Sequence, residues 1–296
     1  MTKLPLRARL LRFMGKQTWM PKGQDRLLRL IWPPDARIPL EFEVDFFGRR
    51  YPGNLDHFID WTVFAYGAYS PAELDLLDRL AAALRQERGE IAFFDIGANA
   101  GHHTLFMADR ADRVFAFEPL PRLQKLIAEK ISRNALTNVR IMPFGLGREE
   151  GSFDYRPGIG ANSGIGTFTE TAEADFGEVI KLPIKTGDGV MSDLGLMRLD
   201  LVKIDVEGFE RFVLEGLAAT LKRDRPPILM ELSKRSRAEF GSLSGFTALL
   251  YEGAQIAEVR GKPGGRLEIH PFDFDTSEEI VILPPSLAAI AVPAAD

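Results

Sequence analysis

The sequence predicts an α/β fold, a mostly parallel sheet with helices on both faces, and two observations carry that reading. From Ile91 onward, short apolar runs at 91–95, 113–117, 139–144, 200–205 and 227–232 alternate with helical patterns, as strands buried on both faces do when crossover helices join them. The first of these runs ends in an acid and then in glycines, Phe93-Phe94-Asp95-Ile96-Gly97-Ala98-Asn99-Ala100-Gly101. Open parallel sheets bind their ligands beyond such carboxyl ends.

Taken in order, residues 1–30 hold eight Lys or Arg (Lys3, Arg7, Arg9, Arg12, Lys16, Lys22, Arg26, Arg29) against one acid, Asp25, interleaved with Leu10, Leu11, Phe13, Met14, Trp19 and Leu27. Such an arm either packs on the body through its apolar residues, the plainer reading, or makes a weak peripheral contact with anionic lipid. Phe42, Val44 and Phe46 alternate with Glu41, Glu43 and Asp45 before Gly48, which predicts a hairpin strand and its turn. Ser70-Pro71-Ala72-Glu73 has the form of a capping box with proline at the first helical position, so a helix is expected over 71–87. One apolar stripe, Leu123, Leu126, Ile127 and Ile131, predicts a helix over 121–135, and another, Phe209, Val213, Leu214, Leu217 and Leu221, predicts one over 208–222. Gln255–Arg260 and Glu279–Leu283 read as a closing antiparallel pair joined through Gly261–Gly265 and a Phe/Asp-rich loop. The glycine-rich segment 156–178 is too long for an ordinary connection and, with Asn162-Ser163-Gly164, is expected to be a functional loop or lid. The aromatic segment Trp61–Tyr69 is expected as a floor for the substrate, although its Trp61, Phe64 and Tyr66 also fit a packed core, the favoured reading of those three. The chain thus divides into an arm, hairpin and helices on the substrate side (1–89), a ligand-binding α/β unit (90–288) and a flexible tail (289–296).

Composition narrows the chemistry. In 296 residues there is no cysteine and there are four histidines, which removes disulfides, thiolate metal sites and a cysteine nucleophile. A formal net charge of −5 and a pI near 5.6 give no general attraction to a polyanion, so nucleic acid is not expected as a partner. Arg7, Arg9 and Arg12 interrupt the N-terminal apolar stretch before it reaches the length of a membrane span or signal core, and a cytoplasmic location is the expectation.

Several residues at the strand ends point to a nucleoside pocket. The spacing Gly97-x-x-x-Gly101 differs from the dinucleotide pattern and counts against a nicotinamide oxidoreductase, while these glycines would let backbone approach a ligand. The next strand ends in Glu118, twenty-one positions after Gly97, where an acid can accept from both hydroxyls of a ribose. These residues, with Phe117-Glu118-Pro119, Asn138-Val139, Pro226–Glu231 and above all Leu201-Val202-Lys203-Ile204-Asp205-Val206-Glu207-Gly208-Phe209-Glu210, resemble the FkbM family of class I, S-adenosylmethionine-dependent methyltransferases over about 90–285. Two positions depart from the pattern: Gly145 stands where similar sequences often have alanine, and His102-His103 where they more often have aromatics.

The resemblance implies a Rossmann-like sandwich: a mostly parallel seven-stranded sheet with an antiparallel C-terminal strand, preceded by the helical and hairpin extension. It implies O-methylation of a hydroxyl on a sugar, polysaccharide, glycolipid or secondary metabolite. The cofactor would contact Asp95, Gly97, Ala98, Asn99, Gly101, Glu118, Pro119, Gly145 and Asp205, with Asp95 near its ammonium, Glu118 on its ribose and Phe144–Leu146 beside its adenine. Catalytic candidates are Asp205, Lys203, Glu231 and His103, because an alcohol needs a base in contact or a metal that acidifies it. Lys203, in an apolar strand, needs a carboxylate partner among Asp205, Glu207 and Asp95. Asp205 and Glu231, expected on adjacent strand ends, are candidate ligands for one Mg²⁺. Glu210 opens a helix and suits its N-terminal dipole. A nucleoside-binding scaffold of the same fold without turnover is the alternative, and oligomeric state is left open.

Overall fold

The computed structural model describes residues 4–17, 23–36, 38–158, 166–167, 177–261 and 266–291. Two short helices, α1 (Leu6–Gly15) and α2 (Gln24–Ile31), precede the hairpin β1 (Glu41–Phe46) and β2 (Arg49–Asn54). The hairpin behaves as its period-2 pattern requires: Phe42, Val44 and Phe46 are buried, and the turn uses positive φ at Phe47 (51°) and Gly48 (84°). Helices α3 (Phe58–Tyr66) and α4 (Pro71–Arg88) follow. The α4 start is as predicted, but its cap is not. Ser70 is left-handed (φ 44°) instead of extended and makes no side-chain cap, and the Glu73 carboxylate, the other half of the expected box, is turned away to His103.

The chain then alternates as β3 (Ala92–Ile96), α5 (His102–Met107), β4 (Arg113–Phe117), α6 (Pro121–Arg133) and β5 (Val139–Met142). A section the sequence did not reveal comes next: β6 (Gly145–Leu146), β7 (Gly151–Pro157), β8 (Gly166–Thr167) and β9 (Ile180–Lys185) form a separate four-stranded sheet of order β6-β9-β7-β8. Residues 159–165 and 168–176 of the segment expected to be a lid, Asn162-Ser163-Gly164 included, lie outside the described residues. After α7 (Gly187–Asp193) and β10 (Leu201–Ile204), the single helix expected over 208–222 is two, α8 (Glu210–Gly216) and α9 (Ala218–Asp224). The break falls where Gly216 crosses the Gly147 carbonyl so closely that a Cβ would lie 2.0 Å from its oxygen. Then come β11 (Ile228–Glu231), α10 (Lys234–Phe240), α11 (Leu243–Thr247), β12 (Gln255–Gly261), β13 (Leu267–Pro271) and β14 (Glu279–Leu283).

The main sheet has order β13-β12-β14-β11-β10-β3-β4-β5. It contains eight strands instead of the seven expected, because β13 pairs antiparallel with β12 inside what was read as a loop. Strands β11, β10, β3, β4 and β5 are parallel, and β14 runs antiparallel to β11. Alternation along each strand divides the core. Phe93, Leu201 and Leu229 join α1, α3, α4 and the hairpin on one face, whereas Phe94, Val202 and Ile228 join α8 and α9 on the other. Trp61 and Phe64 are fully buried in the first cluster, which settles them as core. At the C-terminus, 289–291 continue a 3₁₀ helix (Pro285–Ala291) whose Ile290 packs on the core, so the expected tail is structured at its start; 292–296 lie outside the described residues.

Candidate functional site

The parallel register sets Lys203 of β10 beside Asp95 of β3, both on the face covered by the N-terminal helices. Past these residues the strands open into the turn 97–101. Gly97 and Ala98 each donate a backbone N–H to the Phe117 carbonyl at 3.0 Å, and Asn99 takes a left-handed φ of 50°. Gly97 is left-handed too (φ 79°), and a Cβ there would lie 1.8 Å from the Asp205 carbonyl oxygen. At Gly101 a Cβ would meet Ile127 at 3.0 Å. The protein's own packing already requires both glycines, through a close crossing of β10 and a helix contact with α6.

Glu118 spans the turn: Oε2 accepts from the Asn99 N–H and Oε1 from the Leu120 N–H, both at 2.9 Å. Burial raises its carboxyl to about 7 against the pull of those two hydrogen bonds. Asp95 is fully buried, and its Oδ2 accepts from the Thr104 hydroxyl at 2.6 Å. Lys203 Nζ lies 2.9 Å from Asp205 Oδ2, 3.2 Å from the Gly97 carbonyl and 3.9 Å from Asp95 Oδ1. Burial opposes its charge, but Asp205 and Asp95 outweigh burial and hold the ammonium above its ordinary range. The lysine's partners are thus two of the three foreseen.

A cavity of about 480 Å³ opens over these strand ends. Its wall brings together Lys203, Asp205, Glu231 and His103, all four catalytic candidates, along with Ala98 and Asn99 of the turn. Asp95, Gly97, Gly101, Glu118, Pro119 and Gly145 are not on that wall; Gly145 instead faces Ile184, whose side chain a Cβ would meet at 2.7 Å. Tyr69, from the aromatic segment expected as a floor, and His102, one of the two departures from the family pattern, also line it; sequence reasoning missed Glu73 and Glu279, which line it too. Glu279 opens an apolar strand and stands opposite Glu231 in the β11–β14 register, a signal visible only once that pairing is known. Glu73 was hidden by its resemblance to a capping residue.

The wall is acidic. Burial, then Asp205 and Glu207, push Glu231 up to about 9; burial, then Asp205 and Glu210, push Glu207 up to about 8. Burial and the charges of Glu73, Asp205 and Glu231 raise Glu279 well above the carboxylate range. Glu207 has a left-handed φ of 57° that turns it to the cavity, whereas Glu210 accepts from the Val206 and Gly208 N–H groups, the helix-start role expected of it. His103 Nε2 lies 3.1 Å from Glu73 Oε2. His102 accepts the Tyr69 N–H at Nε2, and burial followed by His103 pushes it well below the usual imidazole range.

Asp205 and Glu231 do end adjacent strands, and an all-oxygen donor set is the kind Mg²⁺ takes. Asp205, however, is already held by Lys203, and among the described residues no three His, Asp or Glu side chains converge on a point that could hold an ion. The described side chains do not by themselves make a metal site.

A parallel sheet closed by an antiparallel strand, a glycine turn after its first strand and an acid ending the second define a class I methyltransferase fold. The chain belongs to the FkbM methyltransferase family, whose methyltransferase FkbM domain matches residues 95–260. It is 30% identical over 148 residues to the hexuronic acid methyltransferase AglP of Haloferax volcanii, covering 49% of this chain and 57% of that protein. It is 32% identical over 193 residues to the AMB antimetabolite synthetase AmbE of Pseudomonas aeruginosa, covering 53% of this chain and 9% of that protein. The chain therefore spans under three fifths of these curated relatives. Among solved structures, methyltransferase FkbM from Methylobacillus flagellatus KT aligns with a TM-score of 0.44 and 14% identity, over 74% of this chain and 52% of that one.

Proposed function

We propose that the protein is an S-adenosylmethionine-dependent O-methyltransferase whose acceptor is a hydroxyl of a sugar, polysaccharide, glycolipid or secondary metabolite. The observation that carries the reading is the juxtaposition, over the ends of β3 and β10, of the glycine turn with a cavity walled by Lys203, Asp205, Glu231 and a Glu73–His103 pair. The residues fit the cofactor at the turn: Ala98 and Asn99 reach the cavity, and Glu118 braces Asn99 from behind, each of its oxygens keeping a lone pair beyond its one backbone hydrogen bond. When bound, the cofactor supplies an electrophilic methyl on a sulfonium, which the acceptor oxygen takes by in-line displacement of sulfur.

The chain's own residues then have to align that oxygen and take its proton. With Nε2–H donated to the Glu73 carboxylate, His103 presents Nδ1 as the nitrogen that accepts the hydroxyl proton, and Glu73 stabilises the resulting imidazolium. Glu231, raised to about 9, keeps its own proton at neutral pH and serves as a hydrogen-bond donor that orients the acceptor. Lys203 fixes Asp205 and is a positioning residue. Residues 1–89 cap the substrate side, since Phe58, Tyr69 and Glu73 of that stretch line the cavity. A wall rich in carboxyl groups suits a neutral polyhydroxyl or cationic acceptor.

Calorimetric titration with S-adenosylmethionine and S-adenosylhomocysteine tests the cofactor. Micromolar binding is expected, weakened at least tenfold in Glu118→Ala, and mass spectrometry of a hydroxylated acceptor panel should register gain of one methyl group. Absence of binding by the folded protein refutes the reading. Binding without cofactor turnover on any acceptor returns the inactive scaffold.

A further inference from the structure

The feature the methyl-transfer reading leaves unused is the outer face of α1. The helix is seated by Ala8, Leu11 and Gly15, all buried; Gly15 lies so close to the Ala65 carbonyl that a Cβ would be 2.1 Å from its oxygen. Arg7 ties it to α2 by donating to the Ile31 carbonyl at 2.9 Å. With the orientation fixed in this way, Leu6, Leu10 and Phe13, at spacings of four and three, fall on one line along the opposite side. They are 78%, 45% and 63% exposed, and Leu30 of α2 is 73% exposed. Turning about 100° per residue puts Arg9 and Lys16 on one flank of this stripe and Arg7 on the other, and residues 4–17 contain no acid. An apolar line edged by cations on both sides is the pattern of a helix lying in a membrane interface. It is also the reverse of the chain as a whole, whose net charge of −5 repels an anionic surface.

We propose that α1 docks the protein on an anionic lipid bilayer, with Leu6, Leu10 and Phe13 entering the headgroup boundary and Arg7, Arg9 and Lys16 meeting lipid phosphates and carboxylates. At α1 the two readings the sequence allowed for the arm are compatible, since one face packs on the core and the proposal gives the other to lipid. The same layer reaches the cavity, because Arg29 of α2 and Pro34 and Asp35 just after it are on its wall. A docked enzyme would stand where a lipid-linked hydroxyl acceptor is presented, but the docking itself does not depend on the chemistry proposed above.

The test is co-sedimentation of the full chain with vesicles of phosphatidylcholine alone or mixed with phosphatidylserine, at low and high salt. Binding is expected to the phosphatidylserine vesicles, falling on addition of salt as each near-surface cation contributes roughly fivefold. Leu10→Glu with Phe13→Glu, and separately Arg9→Glu with Lys16→Glu, should each reduce partition at least tenfold; all four side chains are solvent-exposed, and circular dichroism checks that the fold is kept. Met197→Glu, at a residue 87% exposed elsewhere on the molecule, should bind as wild type does. No partition onto phosphatidylserine vesicles, equal partition onto both vesicle types, an unaltered Leu10/Phe13 double variant, or concentration-dependent self-association in place of vesicle binding would each overturn the proposal.

Discussion

Gly97→Ala probes the crossing on which the site is built. Two costs add. An alanine held at φ 79° loses about 1–2 kcal/mol relative to its preferred regions. Its Cβ would also lie 1.8 Å from the Asp205 carbonyl oxygen, against an ordinary contact beginning at 3.4 Å, and that neighbour is backbone rather than a side chain that can swing away. Relief requires the end of β10 to retreat. That retreat strains the Asp205 N–H to Ile96 carbonyl bond (3.0 Å) and the Lys203 bond to the Gly97 carbonyl (3.2 Å), at about 1 kcal/mol each. The expected loss is about 3–4 kcal/mol, measured by urea unfolding, together with weakened S-adenosylhomocysteine binding because Asp205 is displaced. A loss below about 1 kcal/mol with binding intact would show that the two strand ends are not in the contact described.

Two further outcomes follow from buried charge. Glu231 is ordinary at 4.5 when unfolded and raised to about 9 when folded, so between those values the native state holds the extra proton and stability falls as pH rises. Glu231→Gln should match wild type near pH 4 and exceed it by about 1–3 kcal/mol near pH 8.5, seen as a higher melting temperature; equal pH slopes in the two proteins would refute it. Asp60 is buried, with Oδ1 accepting from the Tyr51 hydroxyl and Oδ2 from the Asn54 N–H, and it supports the charge of buried Lys130, whose Nζ lies 4.3 Å from the Tyr51 ring centre. Asp60→Ala strands all three partners and should cost about 3–5 kcal/mol in chemical unfolding, and a cost under about 1 kcal/mol would contradict this account.

Local signals were sufficient wherever one strand or one helix face determined the outcome. The five parallel strands, the hairpin, α4 and α6 were readable because burial on two faces, period-2 alternation and a 3.6-residue stripe each leave a continuous trace in the chain. The acids that end strands, Asp205 and Glu231, were readable for the same reason: an acid closing an apolar run stands out. What the sequence by itself determined was therefore the α/β class, the site's position at the strand ends and the residues of Leu201–Glu210 that mark the family.

Tertiary structure decided everything that depends on two distant segments meeting. Glu73 looked like a helix cap until α4 packed beside α5 and brought His103 within 3.1 Å. Glu279 was the first residue of a strand until antiparallel pairing placed it opposite Glu231. That Gly97 is also demanded by the Asp205 carbonyl, 1.8 Å from where a Cβ would sit, became visible only when β10 crossed the turn. The exposed line of Leu6, Leu10 and Phe13 became visible only when Ala8, Leu11 and Gly15 fixed which side of α1 faces the core. The physical reason is the same in each case: a side chain's charge state and partner depend on its neighbours in space, which sequence spacing specifies only along a single element.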